Sequence, residues 1–265
     1  MPQPSQSRAF QWRLFWILFA MGVLGVVAII PIAIDMFGPI IRTAERPAIP
    51  LPLLILIGAV QNLVILAVIV FVGLRLGPSV DLGAPLLKDW LTSSTRPKQW
   101  KTSLKAGVIT GLAIGAVLVI LLLAVVPLLP NLPFVIVARL AIWKRILACF
   151  YGGFYEEILS RLFLLTLIAW LANKALRKPG ERLSKAAFWI SNLIVAVLFG
   201  LGHLPSASLL MPITPLVVLV ALSFNGIAAV PFGILYRKLG LEAAMTAHFT
   251  ADFVIYVIGP AFLSR

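Results

Sequence analysis

The chain has 265 residues, of which 61% are hydrophobic and only 12% are charged. A soluble globular domain has about 25% charged residues, and here the apolar residues form long unbroken runs, so the composition excludes soluble, fibrous and disordered proteins. The net charge of +13 would suggest a nucleic-acid partner in a soluble protein. Here most Lys and Arg lie in short loops between apolar runs, where they orient the chain and meet anionic lipid head groups. We therefore predict an all-α, polytopic membrane protein that contacts anionic lipids and binds no nucleic acid.

Seven apolar runs follow one another, and each approaches or exceeds the roughly 20 residues that a helix needs to cross the hydrocarbon layer. The predicted spans are residues 10–36, 50–74, 106–126, 146–171, 186–203, 213–236 and 241–262. The proline-rich stretch Pro127–Ala141 is expected to hold a short re-entrant piece or an eighth span. The expected number is therefore about seven, within six to eight, and residues 1–265 form a single integral membrane domain.

Basic residues indicate the orientation of the chain. Lys and Arg are concentrated in the N-terminal segment, with Arg8 and Arg13, and in the second, fourth and sixth loops. The positive-inside rule places these segments in the cytoplasm. In the second loop, Leu86, Leu87 and Trp90 lie among lysines, which is typical of an interfacial amphipathic segment. We expect a multi-pass protein of a bacterial cell membrane with a cytoplasmic N-terminus.

Few titratable groups lie inside the predicted spans, where a charge costs about 2.5–3.5 kcal/mol at the helix centre. The candidates among them are Glu156, Glu157 and Arg161 in the fourth span, His203 at the end of the fifth, and His248 and Asp252 in the seventh. The chain has two histidines, and both belong to this set. This concentration in three helices predicts a functional site.

Helical spacing assigns partners within the set. Glu157 and Arg161 are four residues apart, carboxylate first, which favours an ion pair on one helix face. Glu156 points about 100° away from Glu157, so it is left to face another group. The same spacing of four recurs in two further pairs, Phe199 with His203 and His248 with Asp252.

These residue types suit two kinds of chemistry. A carboxylate and an imidazole in a dry cavity can deprotonate water for attack on a carbonyl, and a second histidine can donate hydrogen bonds to the oxyanion that develops. Alternatively, Glu156, His203 and His248 can hold a divalent metal such as zinc, which binds imidazole nitrogen and carboxylate oxygen. The H-E-x-x-H motif of many zinc proteases is absent, and both possibilities stay open.

Three short motifs carry a family resemblance. Residues 156–161 read E-E-x-x-x-R, residues 199–203 read F-x-x-x-H, and residues 248–252 read H-x-x-x-[N/D]. In this order, and each in a span, they resemble the CAAX protease and bacteriocin-processing (CPBP or Abi) family of intramembrane proteases, which includes the type II CAAX prenyl endopeptidases. The resemblance covers about residues 141–262, which would be the catalytic core, while the first three spans match only as hydrophobic helices.

The resemblance implies that Glu156 and His203 activate the water and that His248 and residue 252 stabilise the oxyanion. The supporting motif residues are Glu157, Arg161 and Phe199. The prenyl endopeptidases typically have Asn at the last position, so Asp252 departs from them. A carboxylate cannot donate a hydrogen bond unless it is protonated, and it more naturally orients His248 or binds a metal.

The expected function is therefore an intramembrane endopeptidase that hydrolyses membrane-anchored or lipidated substrates, including prenylated CAAX-type substrates. One alternative is a proton- or ion-coupled transporter, which commonly has repeated halves; the sequence shows no repeat. Another is a catalytically silent protein of the same fold that binds a peptide or confers immunity to a peptide toxin. Cys149 lies seven residues before Glu156, but a lone cysteine on an apolar face is more often a packing residue than a nucleophile.

The two histidines lie at conflicting predicted depths. His203 is near the far end of the fifth span, whereas His248 is near the cytoplasmic start of the seventh. Either the fifth span continues through residues 204–210, or residues 209–238 do not form one simple crossing. Pro205, Pro212 and Pro215 favour bending in this region.

Overall fold

The structure is a computed structural model that describes residues 11–43, 50–92, 99–129, 131–177 and 181–263. Arg8 and Phe10, which belong to the predicted N-terminal elements, lie outside these ranges. In the described residues all regular structure is helical, and seven helices are long and apolar enough to cross a membrane. They are Trp12–Pro39, Pro52–Ser79, Trp100–Val125, Ile142–Leu176, Lys185–Ser208, Pro215–Leu239 and Leu241–Phe262. The predicted all-α, polytopic membrane fold is confirmed.

The chain contains twelve α-helices within the described ranges. They are α1 (Trp12–Thr43), α2 (Leu51–Leu76), α3 (Pro85–Thr92), α4 (Trp100–Val125), α5 (Pro133–Ala138), α6 (Ile142–Phe150), α7 (Thr166–Leu176), α8 (Lys185–Gly202), α9 (Leu204–Ser208), α10 (Pro215–Leu239), α11 (Leu241–Asp252) and α12 (Pro260–Leu263). Three π-helical segments interrupt this pattern: Tyr151–Glu156 and Ile158–Leu165 join α6 to α7, and Phe253–Ile258 follows α11. Backbone groups in a membrane must bond within their own segment, and long apolar helices meet that requirement.

Side-chain caps define where two of the spanning helices begin. Ser184 precedes α8, and its hydroxyl accepts a hydrogen bond from the backbone N–H of Ala187. Thr214 precedes α10 and accepts in the same way from Val217, with Pro215 as the first helical residue. Both patterns satisfy N–H groups that have no partner within the helix.

The proline-rich stretch forms α5, which has six residues and is too short to cross a membrane. It is therefore a short piece between the third and fourth spans and not an eighth span. The second loop forms the eight-residue helix α3, in which Trp90 is 60% exposed.

Three glycines seat α11 against α4. Gly107, Gly111 and Gly115 recur at intervals of four, so they share one face of α4, and all three are buried. A Cβ at Gly111 would lie 2.6 Å from the Cβ of Thr250, and one at Gly107 would lie 2.8 Å from the carbonyl oxygen of Ala243. Small residues at this spacing allow the two helix backbones to approach closely.

The start of α11 lies beneath α3. Leu241, its first residue, is fully buried, and its N–H donates to the carbonyl of Gly83 at 2.9 Å. The next residue, Glu242, accepts a hydrogen bond from the N–H of Leu87 in α3 at 2.8 Å. Because α3 and its preceding loop cover this end of α11, the helix begins inside the bundle.

The fifth span consists of two helical pieces. Helix α8 ends at Gly202, His203 follows, and α9 continues the helical path to Ser208. Residues 215–239 form one continuous helix of 25 residues, α10, and residues 209–214 connect it to α9.

Candidate functional site

Three parts of the bundle bring the predicted residues together. The region around the first two π segments carries Glu156, Glu157 and Arg161, the junction of α8 and α9 carries His203, and α11 carries His248 and Asp252. Each of these six side chains has a charged or imidazole atom within 4.0 Å of such an atom in another member. They form one connected cluster.

Glu157 and Arg161 form the buried base of the cluster. Glu157 Oε1 lies 3.1 Å from Arg161 Nη1, and both side chains are completely buried. Arg161 Nη2 also donates to the carbonyl of Ala229 at 3.0 Å. A charge in such a place is tolerated only when it is paired and hydrogen-bonded, which is the arrangement that the spacing of four predicts.

Glu157 also holds His248. The same Oε1 atom that faces Arg161 accepts a hydrogen bond from His248 Nδ1 at 2.7 Å. This bond assigns the proton to Nδ1 and turns Nε2 toward the remaining carboxylates. The helix spacing did not indicate this contact, because it joins residues 91 positions apart.

Glu156 lies between the two histidines. Its Oε2 atom is 3.6 Å from His248 Nε2, and its Oε1 atom is 4.0 Å from His203 Nε2. Both separations exceed a direct hydrogen bond, and the longer one, to His203, suits a bridging water. Glu156 therefore faces His203, and it shares His248 with Glu157.

A backbone carbonyl determines the tautomer of His203. Nδ1 lies 2.7 Å from the carbonyl oxygen of Phe199, and a carbonyl only accepts, so Nδ1 carries the proton. In the neutral ring, Nε2 is then left with a free lone pair directed toward Glu156. The predicted pairing of Phe199 with His203 is thus present as a backbone contact, with the two rings edge to face at 4.9 Å.

Asp252 lies on the opposite side of the His248 ring from Glu157. Its Oδ2 atom is 3.7 Å from His248 Nε2, so the hydrogen bond that orients this ring is the one that His248 donates to Glu157. Gly152 provides room for the pair, because a Cβ there would lie 3.0 Å from His248 Nε2.

Aromatic rings enclose the cations of the cluster. The Arg161 guanidinium lies 5.4 Å from the ring centre of Phe199 and 5.6 Å from that of Phe232, and Phe232 also lies 5.2 Å from the ring of His248. Ring faces attract cations at these distances. Phe232 was not predicted from the sequence, because a single Phe in an apolar helix has no distinguishing pattern.

The π-helical backbone around Glu156 was also not predicted. π-Helices account for well under 1% of residues and often lie at functional sites. The hydroxyl of Thr166 donates to the carbonyl of Arg161, five residues earlier, at 3.1 Å. Gly152 and Gly153 stand just before the acidic pair, but glycines alone do not distinguish a π segment from a close helix contact.

The cluster is closed at one end and open at the other. The side chains of Glu157 and Arg161 are fully buried and that of His248 is 8% exposed, whereas that of His203 is 40% exposed. The cluster therefore opens on the side of His203.

The donor arrangement does not match a metal centre. Within the described part of the chain, no group of three or more His, Cys, Asp or Glu side chains is placed to hold a metal ion. The Nδ1 atoms of both histidines are engaged, by Glu157 and by the carbonyl of Phe199, which leaves both Nε2 atoms free, as in many metal-binding histidines. Because the donors as placed do not converge on one position, we derive no step through a metal.

Cys149 is completely buried. Its thiol donates to the carbonyl of Arg145, one turn earlier, at 3.5 Å. This position is that of a packing residue.

Comparison with known proteins gives one family match. Residues 138–254 match the family described as type II CAAX prenyl endopeptidase Rce1-like, and this segment contains all three motifs. No curated protein and no solved structure gives a significant match. The family match indicates a CAAX-type intramembrane protease. The resemblance predicted from the three motifs is thereby confirmed for the part of the chain that carries them: residues 138–254 match the Rce1-like CAAX protease family.

Proposed function

We propose that this protein is an intramembrane endopeptidase in which Glu156 and His203 activate a water molecule. The observation that supports this proposal is the position of Glu156, which directs one carboxylate oxygen toward Nε2 of each histidine, at 4.0 and 3.6 Å. The two separations leave room for a water between Glu156 and His203 and for a carbonyl oxygen near His248.

The water gives its proton to the Glu156–His203 pair. His203 Nε2 has a free lone pair because Nδ1 donates to the carbonyl of Phe199. The negative charge of Glu156 stabilises the imidazolium that forms, as a carboxylate does in other acid–base pairs. The hydroxide attacks the carbonyl carbon of the scissile bond, and His203 then returns the proton to the leaving amine.

His248 stabilises the tetrahedral intermediate. Its Nδ1–H bond to Glu157 holds the ring, and a protonated Nε2 points away from Glu157 as a donor for the oxyanion. Asp252, 3.7 Å from the same nitrogen, stabilises the positive charge on this ring. In this arrangement Asp252 acts through His248 and does not itself donate to the substrate.

The substrate is a membrane-anchored or lipidated peptide, and a prenylated CAAX-type peptide is the first candidate because of the family match. A site within spanning helices is reached most directly by a peptide that is itself held in the bilayer. We place the N-terminus and the even-numbered loops in the cytoplasm, on the basis of the distribution of Lys and Arg.

Cleavage in proteoliposomes tests the proposal. The protein is reconstituted with prenylated and non-prenylated membrane-tethered peptides, and products are identified by mass spectrometry. Glu156→Gln and His203→Gln are each expected to lower the rate by about 10²–10⁴-fold, the usual contribution of a positioned acid–base group. Glu181→Gln is the matched control, because this acidic residue is exposed and lies outside the cluster.

Unchanged cleavage in both folded variants would refute the proposed roles. The transporter would be favoured if the unaltered protein conducts protons across the same liposomes without cleaving peptides and if both variants lose this proton flux. Peptide binding without cleavage by the unaltered protein would favour the catalytically silent alternative.

A further inference from the structure

A cavity of about 460 Å³ lies at one end of the helix bundle, apart from the cluster around Glu156. None of the six titratable residues of that cluster lines it. Four cationic side chains do: Lys88, Arg182, Arg237 and Lys238. They come from α3, from the segment before α8 and from the last turn of α10, so the fold gathers them from three separate parts of the chain.

The lining of the cavity has more cationic than acidic side chains. Asp81 is the one acidic side chain among the described residues that line it, and its carboxylate pairs with Arg182 at 3.1 Å. Lys88, Arg237 and Lys238 remain without an acidic partner in the lining. Like charges that surround a common space repel each other, and an anion in that space removes the repulsion.

Arg237 is positioned to bind an anion. Its guanidinium lies 4.5 Å above the ring of Phe188, which restricts the side chain to one region. A guanidinium held in this way can bind two phosphate oxygens at once. The cavity also has apolar walls, to which Leu74, Leu82 and Leu239 contribute.

The location identifies the source of the anion. The lining includes Gln11 and Gln99, which precede α1 and α4, and residues at the ends of α2 and α10. Ends of spanning helices lie at the level of the lipid head groups, and the positive-inside rule assigns this end to the cytoplasm. Basic pockets between helices on that side bind the head groups of anionic lipids.

We propose that this cavity binds the phosphodiester head group of an anionic phospholipid such as phosphatidylglycerol. Its volume is within the range of small-ligand sites. Gly240, which joins α10 to α11 with a φ of +94°, lines the cavity beside Lys238. A bound head group would therefore connect α3, which carries Lys88, with the joint from which α11 runs to His248.

Binding of short-chain lipids to the purified full chain in neutral detergent tests the proposal. The probes are dihexanoyl phosphatidylglycerol, dihexanoyl phosphatidylcholine and inorganic phosphate, and the dissociation constants are measured by calorimetry. Phosphatidylglycerol is expected to bind with a much lower dissociation constant than phosphatidylcholine or inorganic phosphate. The variant Lys88→Gln/Lys238→Gln should raise its dissociation constant by about 30-fold, because each basic group near a lipid surface contributes about a fivefold increase in affinity.

The matched control is Lys105→Gln/Lys185→Gln, which removes the same charge from exposed residues of the same predicted side and outside the cavity. Because Lys88 and Lys238 are also exposed, neither double variant removes a buried contact. Equal weakening by the two double variants would overturn the proposal, since it would show attraction by overall charge. Tight binding of inorganic phosphate would assign the cavity to a soluble phosphate and would also overturn it.

Discussion

The buried ion pair between Glu157 and Arg161 allows a quantitative prediction. Its atoms are 3.1 Å apart, so at an effective dielectric constant of about 20 the attraction is about 5 kcal/mol. Glu157→Gln removes this attraction and leaves a fully buried guanidinium without an anion. We expect the free energy of unfolding to fall by about 3–5 kcal/mol, the usual cost of removing one partner of a buried pair.

The exposed pair between Asp81 and Arg182 is the matched control. Its atoms are also 3.1 Å apart, but its side chains are 70% and 63% exposed. Asp81→Asn should change the free energy of unfolding by less than about 1 kcal/mol, since water screens such pairs. Asn also tolerates the positive φ of 57° at this position. Both variants are unfolded in mixed detergent micelles and followed by circular dichroism.

A second substitution separates stability from catalysis. Glu157→Gln/Arg161→Met removes both charges, and replacement of a buried pair by neutral side chains often restores stability. Cleavage should stay low, by about 10²-fold or more, because the amide introduced at position 157 does not provide a carboxylate for His248 Nδ1. Full recovery of cleavage together with stability would refute the positioning role of Glu157, and an unfolding free energy unchanged by Glu157→Gln would refute the burial argument.

Three further results are expected. Gly111→Leu should lower both the melting temperature and the cleavage rate, because overpacking costs about 1–3 kcal/mol or more and displaces α11. Gly58→Leu is its control, since no atom lies within 4 Å of a Cβ there, and similar losses in both would contradict this reasoning. Asp252→Asn should keep cleavage within about tenfold, because an amide still fills the space beside His248 and can donate, whereas a loss as large as that of His203→Gln would show that the carboxylate takes part directly. Exhaustive chelation should leave cleavage unchanged; loss of cleavage that zinc reverses would show that the donor set holds a metal after all.

The sequence predicted what depends on local spacing and on the cost of charge in a membrane. Seven spans follow from the apolar runs, and the pairing of Glu157 with Arg161 follows from a separation of four residues. This ion pair is present although Arg161 lies in a π segment, because the two long side chains tolerate a small change in helix register. The cluster could be located because an apolar chain has few reasons to carry Glu156 and both histidines within spans.

What could not be predicted depends on contacts between distant parts of the chain. The hydrogen bond from His248 to Glu157 replaces the expected partnership with Asp252, and only the packing of α11 against the fourth span determines which carboxylate reaches Nδ1. Gly107, Gly111 and Gly115 are visible in the sequence as a repeat of small residues. Their spacing indicates a close helix contact but does not identify the partner helix.

The meeting of His203 and His248 around one carboxylate depends on a helix outside the matched family segment. His203 lies 18 residues after Lys185, where its span begins, and His248 lies seven residues after Leu241, where its span begins. At 1.5 Å per residue, the two distances along the helix axis differ by about 16 Å. The two side chains nevertheless both approach Glu156, so α8 and α11 do not begin at the same level of the bundle. Helix α3 and its preceding loop explain this. Gly83 and Leu87 form hydrogen bonds with the buried first turn of α11, so α3, and not the start of α11, lies at the surface of the bundle. Residues 83–92, which the sequence indicates only as part of an interfacial segment, thus contribute to the geometry of the site.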